Sequence, residues 1–352
     1  MKETCFSKKE IVKLLQIEDP KELQALFAEA NKLAEELFDN KVYYRGLLEF
    51  SNYCTKDCYY CGLRKSNYTL KRYSMDLDEI LGAALWAYRQ GYASLTLQTG
   101  ELTSSSRIRF VVDLIKKIKE KTNLGLTLSF GELPKEIYQE LFNAGGHRYL
   151  LRIETSNPEL YRKIHPENHS FETRLRCLMD LQEIGFQVGT GVMIGLPLQT
   201  FEDLADDLLF FKKFDVDMVG MGPYVPHSDT PLVKLPLQFT DKERLYLSLK
   251  MVAITRLFLK DVNIAAVTAL QALHSRGREL ALLGGANVIM PIITPKKYRE
   301  HYSLYEGKPC VNETATQCQE CLVHRLKWAG KDWGKGLWGD SPHYFARKRK
   351  RL

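Results

Sequence analysis

Three cysteines stand within eight residues in CTKDCYYC, at Cys54, Cys58 and Cys61. In a reducing compartment such clustered thiols serve as metal ligands or redox groups rather than as structural disulfides. A closed structural zinc site takes four tetrahedral ligands, usually from two CxxC pairs. A lone CxxxCxxC supplies three, and His147 and His165 lie too far along the chain to be read as partners. Three thiolates can instead anchor three irons of a cubane cluster, leaving the fourth iron open to a substrate. A second triad, Cys310, Cys318 and Cys321, is spaced CxxxxxxxCxxC. It could hold a second iron-sulfur cluster, 2Fe-2S or 4Fe-4S, or zinc, or stay empty. Cys5 and Cys177 have no partners by spacing and read as ordinary thiols.

The elements that must carry the first loop follow a repeating order. Residues 7–40 have the period of amphipathic helices, and VYYRGLLEFS runs extended into the cysteine loop. Extended runs recur at SLTLQTG (94–100), LGLTLSFG (124–131), RYLLRIE (148–154), QVGTGVMIG (187–195), MVGMGPY (218–224), IAAVTAL (264–270) and ANVIMP (286–291), with helical segments between them. About eight strand-helix units is the number at which a parallel sheet closes into a (β/α)8 TIM barrel. The expected fold is therefore α/β, with N-terminal helices over residues 1–41, the barrel over 42–291 and a cysteine-containing C-terminal extension over 292–352. A doubly wound open sheet competes, but no Gly-x-Gly-x-x-Gly opens a helix after the first strand.

Alternate strand residues face the lumen of a barrel, so the phase of polar residues is informative. Arg148, Leu150, Arg152 and Glu154 share one face of the fourth run, Thr127 and Ser129 one face of the third, and Gly189, Gly191, Met193 and Gly195 one face of the fifth. Two arginines and a glutamate inside a barrel would be costly without a charged ligand.

Composition is that of a globular protein, 45% hydrophobic and 26% charged. The formal net charge is +7, and the run Arg347 to Arg351 supplies five positive charges. A terminal run of this kind reads as a solvated, disordered tail, and the body lacks the basic-aromatic platform of a nucleic-acid binder. The N-terminus has no apolar signal segment, and no apolar stretch of about 18 residues occurs. A cytoplasmic protein with no membrane or nucleic-acid partner is expected.

CxxxCxxC with an aromatic before the last cysteine resembles the signature of radical S-adenosylmethionine (SAM) enzymes, here Cys54, Cys58, Tyr60 and Cys61. The resemblance implies a 4Fe-4S cluster whose open iron is chelated by the amino and carboxylate groups of SAM. One electron then cleaves the sulfonium to a 5′-deoxyadenosyl radical. QTGE, that is Gln98, Thr99, Gly100 and Glu101, occupies the place of the family's glycine-rich motif that meets the methionyl ammonium. A carboxylate also wants a guanidinium, for which Arg174 is the candidate and Arg176 its competitor.

LKRYSM, LSFGE (128–132), RIETSNPELYRKIHP (152–166), GVMIGLPLQT (191–200), DMVGMGPYVPHSDTPL (217–232) and GANVIMP (285–291) together resemble the HydE family of FeFe-hydrogenase maturases, over about residues 42–325. Biotin synthase and methylornithine synthase share its motif style. The resemblance implies SAM contacts at Tyr60, Gln98, Thr127, Ser129, Glu154, Arg174, Met218, Met290 and Tyr302. It further implies a role in diiron subcluster assembly, the radical acting on the sulfur of an organometallic iron-cysteine substrate that carries CO and cyanide. Arg148 and Arg152 would suit that anionic complex lower in the cavity. The surface triad of Cys310, Cys318 and Cys321 matches a cluster present in part of the family. The expected partners are other hydrogenase maturases, transiently, and a reductase or ferredoxin electron donor, with the chain itself a monomer. Alternatives are biotin-synthase-like sulfur insertion, which resembles a chemistry needing cysteines on barrel strands where these have none, and a methylornithine-synthase-like mutase. Two departures stand out: Thr99 replaces a serine, and LTSSS follows QTGE where an acid, a proline and aromatics are expected, which puts that loop's contribution to the cavity in doubt.

Overall fold

The computed structural model describes residues 6–351, so Cys5 lies outside the described residues. Helix Lys8–Leu15 begins at a capping box between Ser7 and Glu10, and helix Pro20–Phe38 at the Asp19 cap with proline in its first turn. Their apolar stripes, Ile11 and Leu15, then Leu26, Ala30, Ala34 and Phe38, are buried.

Eight parallel strands follow: β1 Lys41–Ser51, β2 Ser94–Thr99, β3 Gly125–Ser129, β4 Arg148–Leu150, β5 Gln187–Thr190, β6 Met218–Val219, β7 Asn263–Ile264 and β8 Val288–Ile289. They pair in sequence order, and β8 returns to β1 with Tyr43 opposite Val288. On its other side β8 meets β7: Ala265 bridges Val288, and the Asn287 N–H donates to the Ile264 carbonyl at 3.0 Å. The ring is closed, a (β/α)8 barrel. The apolar phase, including Leu95, Leu97, Leu126, Leu128, Tyr149 and Ile153, is fully buried. The polar phase is left for the lumen.

Two extended runs end sooner than their sequence suggests. The β4 ladder stops at Leu150 although Glu154 still bridges Val192, and the run that begins at Ile264 turns into helix Ala269–Leu273. A short ladder of Met193–Ile194 with Gly222–Pro223 extends the rim above β5 and β6.

The C-terminal chain closes the barrel's lower end. The Gly339 carbonyl accepts from Arg45 at 3.1 Å and from Asn263 at 2.8 Å, and the Trp338 carbonyl accepts from Ser94 at 2.7 Å. Asp340 pairs with Arg148 and lies 3.3 Å from His147 Nε2. The basic run is correspondingly no disordered tail: it ends helix Pro342–Arg351, in which Arg347 is buried and paired with Asp217 while Lys348, Arg349 and Lys350 are exposed. The expectation of disorder fails because Asp217, fully buried at the barrel end, needs a cationic partner and Arg347 supplies it.

His343 of the same helix sits between Asp261 (2.9 Å) and Asp215 (2.7 Å). Burial alone would lower its pKa, but hydrogen bonds to the two carboxylates raise it to about 9. A histidine that binds its proton more tightly when folded stabilises in full below its unfolded value, about 6.5, and loses that contribution as pH rises to 9. Thermal melts should therefore show stability falling by on the order of 1–2 kcal/mol from pH 6.5 to 9. His343→Asn should flatten that slope.

Candidate functional site

The cysteine loop lies at the carboxyl end of β1, where barrel enzymes carry their chemistry. Local sequence sets its shape. Asp57 accepts from Arg64 Nε (2.8 Å) and NH2 (2.7 Å) and from the Ser66 N–H (3.0 Å). Against the effect of burial, those bonds hold its carboxyl down to about 2. Arg72, from the LKRYSM stretch, donates to the carbonyls of Asn52, Leu63, Arg64 and Asn67 and so satisfies backbone that no strand or helix uses. The second loop touches the first. The Thr55 N–H donates to the Glu101 carbonyl at 2.9 Å, and the Glu101 N–H donates to Cys54 Sγ at 3.3 Å. A Cβ on Gly100 would stand 2.3 Å from the Tyr53 carbonyl oxygen and 2.7 Å from Cys54 Cβ, so the approach requires glycine.

Beneath the loop is a cavity of ≈330 Å³. Its walls include Cys54, Cys58, Tyr60, Cys61, Gln98, Thr99, Gly100, Glu101, Ser129, Arg152, Glu154, Arg174, Met290 and Tyr302. Three residues expected there are elsewhere. The Arg148 guanidinium is committed to Asp340, to Ser94 Oγ (2.7 Å) and to Thr127 Oγ1 (3.0 Å), and Met218 Sδ accepts from Arg45 at 2.9 Å. Arg148, Thr127 and Met218 thus form a layer below the cavity. Arg148 does not face a ligand because Asp340 already supplies its anion. LTSSS is explained as a helix start: Ser104 caps helix Ser105–Lys121, while Gln98–Glu101 keep their place on the wall. Arg174 is buried and in the cavity wall, whereas Arg176 is exposed and outside it.

The sequence reading missed several residues in the wall or just behind it. Glu49 and Lys308 form a buried ion pair, both carboxylate oxygens 2.7 Å from the ammonium. Glu49 shares the inward phase of Arg45 and Leu47 and was legible; Lys308 lies in irregular chain. Glu132, within the quoted LSFGE, joins Lys56 (2.6 Å) to Arg174 (2.6 Å). Folding also brings His165 and His169 to the loop. Burial lowers their pKa values to about 3 and about 4, so both rings are neutral. His165 Nδ1–H faces the Tyr161 carbonyl at 2.9 Å, leaving Nε2 to accept from the Tyr60 hydroxyl at 3.3 Å.

Burial pushes the Cys58 thiol up to about 12, opposed by the nearby Arg174 charge, and also raises Cys54 and Cys61. Thiols so placed give up their protons only to a metal. The three sulfurs do not converge within 4.8 Å of one another, although Cys58 does so with His165 and His169. Ligands of one zinc at about 2.3 Å would lie under about 4 Å apart. The spread suits the corners of a cluster.

Glu154 has φ 66°, a left-handed conformation costing about 1 kcal/mol or more for a residue with a side chain. Its Oε2 is buried without a hydrogen bond, as is Arg152 Nε, although Arg152 NH2 stands 3.1 Å away. Glu154→Gly should leave stability unchanged or raise it by up to about 1 kcal/mol in melts of cluster-free protein while cutting 5′-deoxyadenosine yield.

In the second triad, Cys310 and Cys318 approach each other together with Glu313, while Cys321 Sγ accepts from Arg325 Nε at 3.2 Å. Cys177 is buried on helix Phe171–Ile184.

The Radical SAM superfamily pattern matches residues 48–211. The FeFe hydrogenase maturase subunit HydE of Thermotoga maritima is 45% identical over 333 residues, 94% of this chain and 93% of that one. The chain belongs to the HydE family of radical SAM enzymes. The 3-methylornithine synthase of Methanosarcina barkeri is 27% identical over 83% of this chain and 81% of its own. A crystal structure of methylornithine synthase shares the fold with a TM-score of 0.81, covering 98% of this chain and 96% of that one at 23% identity. Membership of the family implies a 4Fe-4S cluster and SAM, and the residues fit both. Three splayed thiols suit the cluster, and a buried guanidinium with two orphaned polar atoms suits a zwitterionic ligand. No helix among the described residues is long and apolar enough to cross a membrane.

Proposed function

We propose that this chain acts in the cytoplasm in FeFe-hydrogenase maturation, in diiron subcluster assembly. Its cluster ligands would be Cys54, Cys58 and Cys61, and its substrate an organometallic iron-cysteine complex carrying CO and cyanide. One observation carries the reading: three splayed cysteines roof a closed barrel's cavity whose wall bears Arg174, Glu154 and Arg152.

When bound, the cluster supplies the electron that cleaves SAM to a 5′-deoxyadenosyl radical. The chain's own residues bind and orient. Arg174, fixed by Glu132 at Nε and by the Arg152 carbonyl at NH1, offers its remaining NH2 to the SAM carboxylate. Tyr60, aimed by His165, and the walls at Gln98, Ser129, Met290 and Tyr302 frame the rest. Glu154 Oε2 accepts from a ligand donor, and Arg152, the remaining member of the expected arginine pair, draws an anion below it. Burial excludes water that would quench a radical. Cys310, Cys318 and Cys321 would hold a second iron-sulfur cluster that is not needed for this chemistry. The partners are the other maturases, met transiently, and a reductase or ferredoxin, the chain itself being a monomer.

Anaerobically reconstituted protein should be brown and should release 5′-deoxyadenosine with SAM and reductant. A maturation set lacking this protein should leave a clustered but incomplete hydrogenase inactive, and adding it should restore hydrogen production. Equal activation with and without it would sink the proposal.

A further inference from the structure

Cys58 differs from its two neighbours in how its sulfur is faced. Cys54 Sγ accepts from the Glu101 backbone N–H at 3.3 Å, whereas His169 Nδ1 stands 3.8 Å from Cys58 Sγ. His169 is buried, and its placement is rigid. Its N–H donates to the Pro166 carbonyl at 2.9 Å, and Ser170, immediately after it, caps helix Phe171–Ile184, which also carries Arg174. The Tyr60 hydroxyl stands 3.3 Å from His165 Nε2 and also beside Cys58 Sγ, so His169 is the imidazole among the groups that face that sulfur.

An iron-bound thiolate has no proton, so only an N–H can face it favourably; a bare ring nitrogen would repel it. The contact therefore selects the Nδ1–H tautomer. Hydrogen bonds to cluster sulfurs favour the reduced, more negative state, and such outer contacts tune the potential of the metal they surround. We propose that His169 is a positioning residue for the cluster on Cys54, Cys58 and Cys61, donating from Nδ1 to Cys58 Sγ and raising the cluster's reduction potential. The inference rests on the proposed assignment of those three cysteines as cluster ligands.

The test uses the full chain, reconstituted anaerobically without SAM, with Cys310, Cys318 and Cys321 replaced by serine so that one cluster reports. In redox titration followed by electron paramagnetic resonance, His169→Leu should lower the midpoint by about tenfold in the reduction equilibrium, or about 59 mV for one electron. His169→Gln, which keeps an N–H donor, should recover part of the shift. Independently of any substitution at His169, 15N-histidine labelling should add a weakly coupled nitrogen to the pulsed spectrum of the reduced cluster. Equal midpoints for His169→Leu and the unsubstituted residue at equal iron content would overturn the inference, as would a missing 15N coupling. Failure of Cys54, Cys58 and Cys61 to assemble any cluster would overturn the cluster assignment, and this inference with it.

Discussion

Cys58→Ala is expected to abolish 5′-deoxyadenosine formation altogether while the barrel stays folded. Cys58 is one of only three thiols on the loop, and its neighbours Cys54 and Cys61 cannot hold a cluster as a pair. The fold does not depend on that sulfur. The loop is secured by Asp57 and Arg72, whose seven hydrogen bonds, two from Arg64, one from the Ser66 N–H and four to carbonyls, survive the substitution. Melting of cluster-free protein should shift by no more than about 1 kcal/mol equivalent. Iron content and the visible absorbance should both fall, and chemical reductant should not restore SAM cleavage. Cys318→Ala provides the contrast: iron bound at the C-terminal triad is lost and SAM cleavage continues. If Cys58→Ala retained SAM cleavage, the loop would not be the cluster site.

The second large effect concerns stability. Asp340→Ala would strand the Arg148 guanidinium, which is fully buried with Arg45 close by. Removing one partner of a buried ion pair costs about 3–5 kcal/mol because the remaining charge is uncompensated. Urea unfolding should show that loss, and Arg148→Met added to Asp340→Ala should recover much of it. The KM for SAM should not change, because Arg148 lies below the cavity rather than in its wall. A large rise in KM with little loss of stability would return Arg148 to the ligand.

The same arginine shows how far the sequence reaches. Strand phase correctly placed Arg148, Arg152, Thr127 and Ser129 inside the barrel, because a period of two is a local property. It carried no information on height along the axis. Height follows from register, with Thr127 opposite Arg148 near one end, and from Asp340, 192 residues away, which occupies the basin. Lys308, as the partner of Glu49, was hidden for a related reason: the pairing spans 259 residues and starts from irregular chain. The cysteine loop and the glycine of QTGE were legible because their chemistry depends on spacing within a few residues. The two histidines were not, since His165 and His169 reach the loop only after helix Pro158–Ile164 folds across it.

Because the stretch from Trp338 to Ser341 stops the lower end, the cavity among the described residues lies toward the side of Cys54 to Cys61. The same cavity holds Leu47 and Leu150 in its wall together with the three cysteines. A group seated against Leu47 and Leu150 is thereby roofed by whatever occupies the cysteine side, a stacking set by architecture with no moving part.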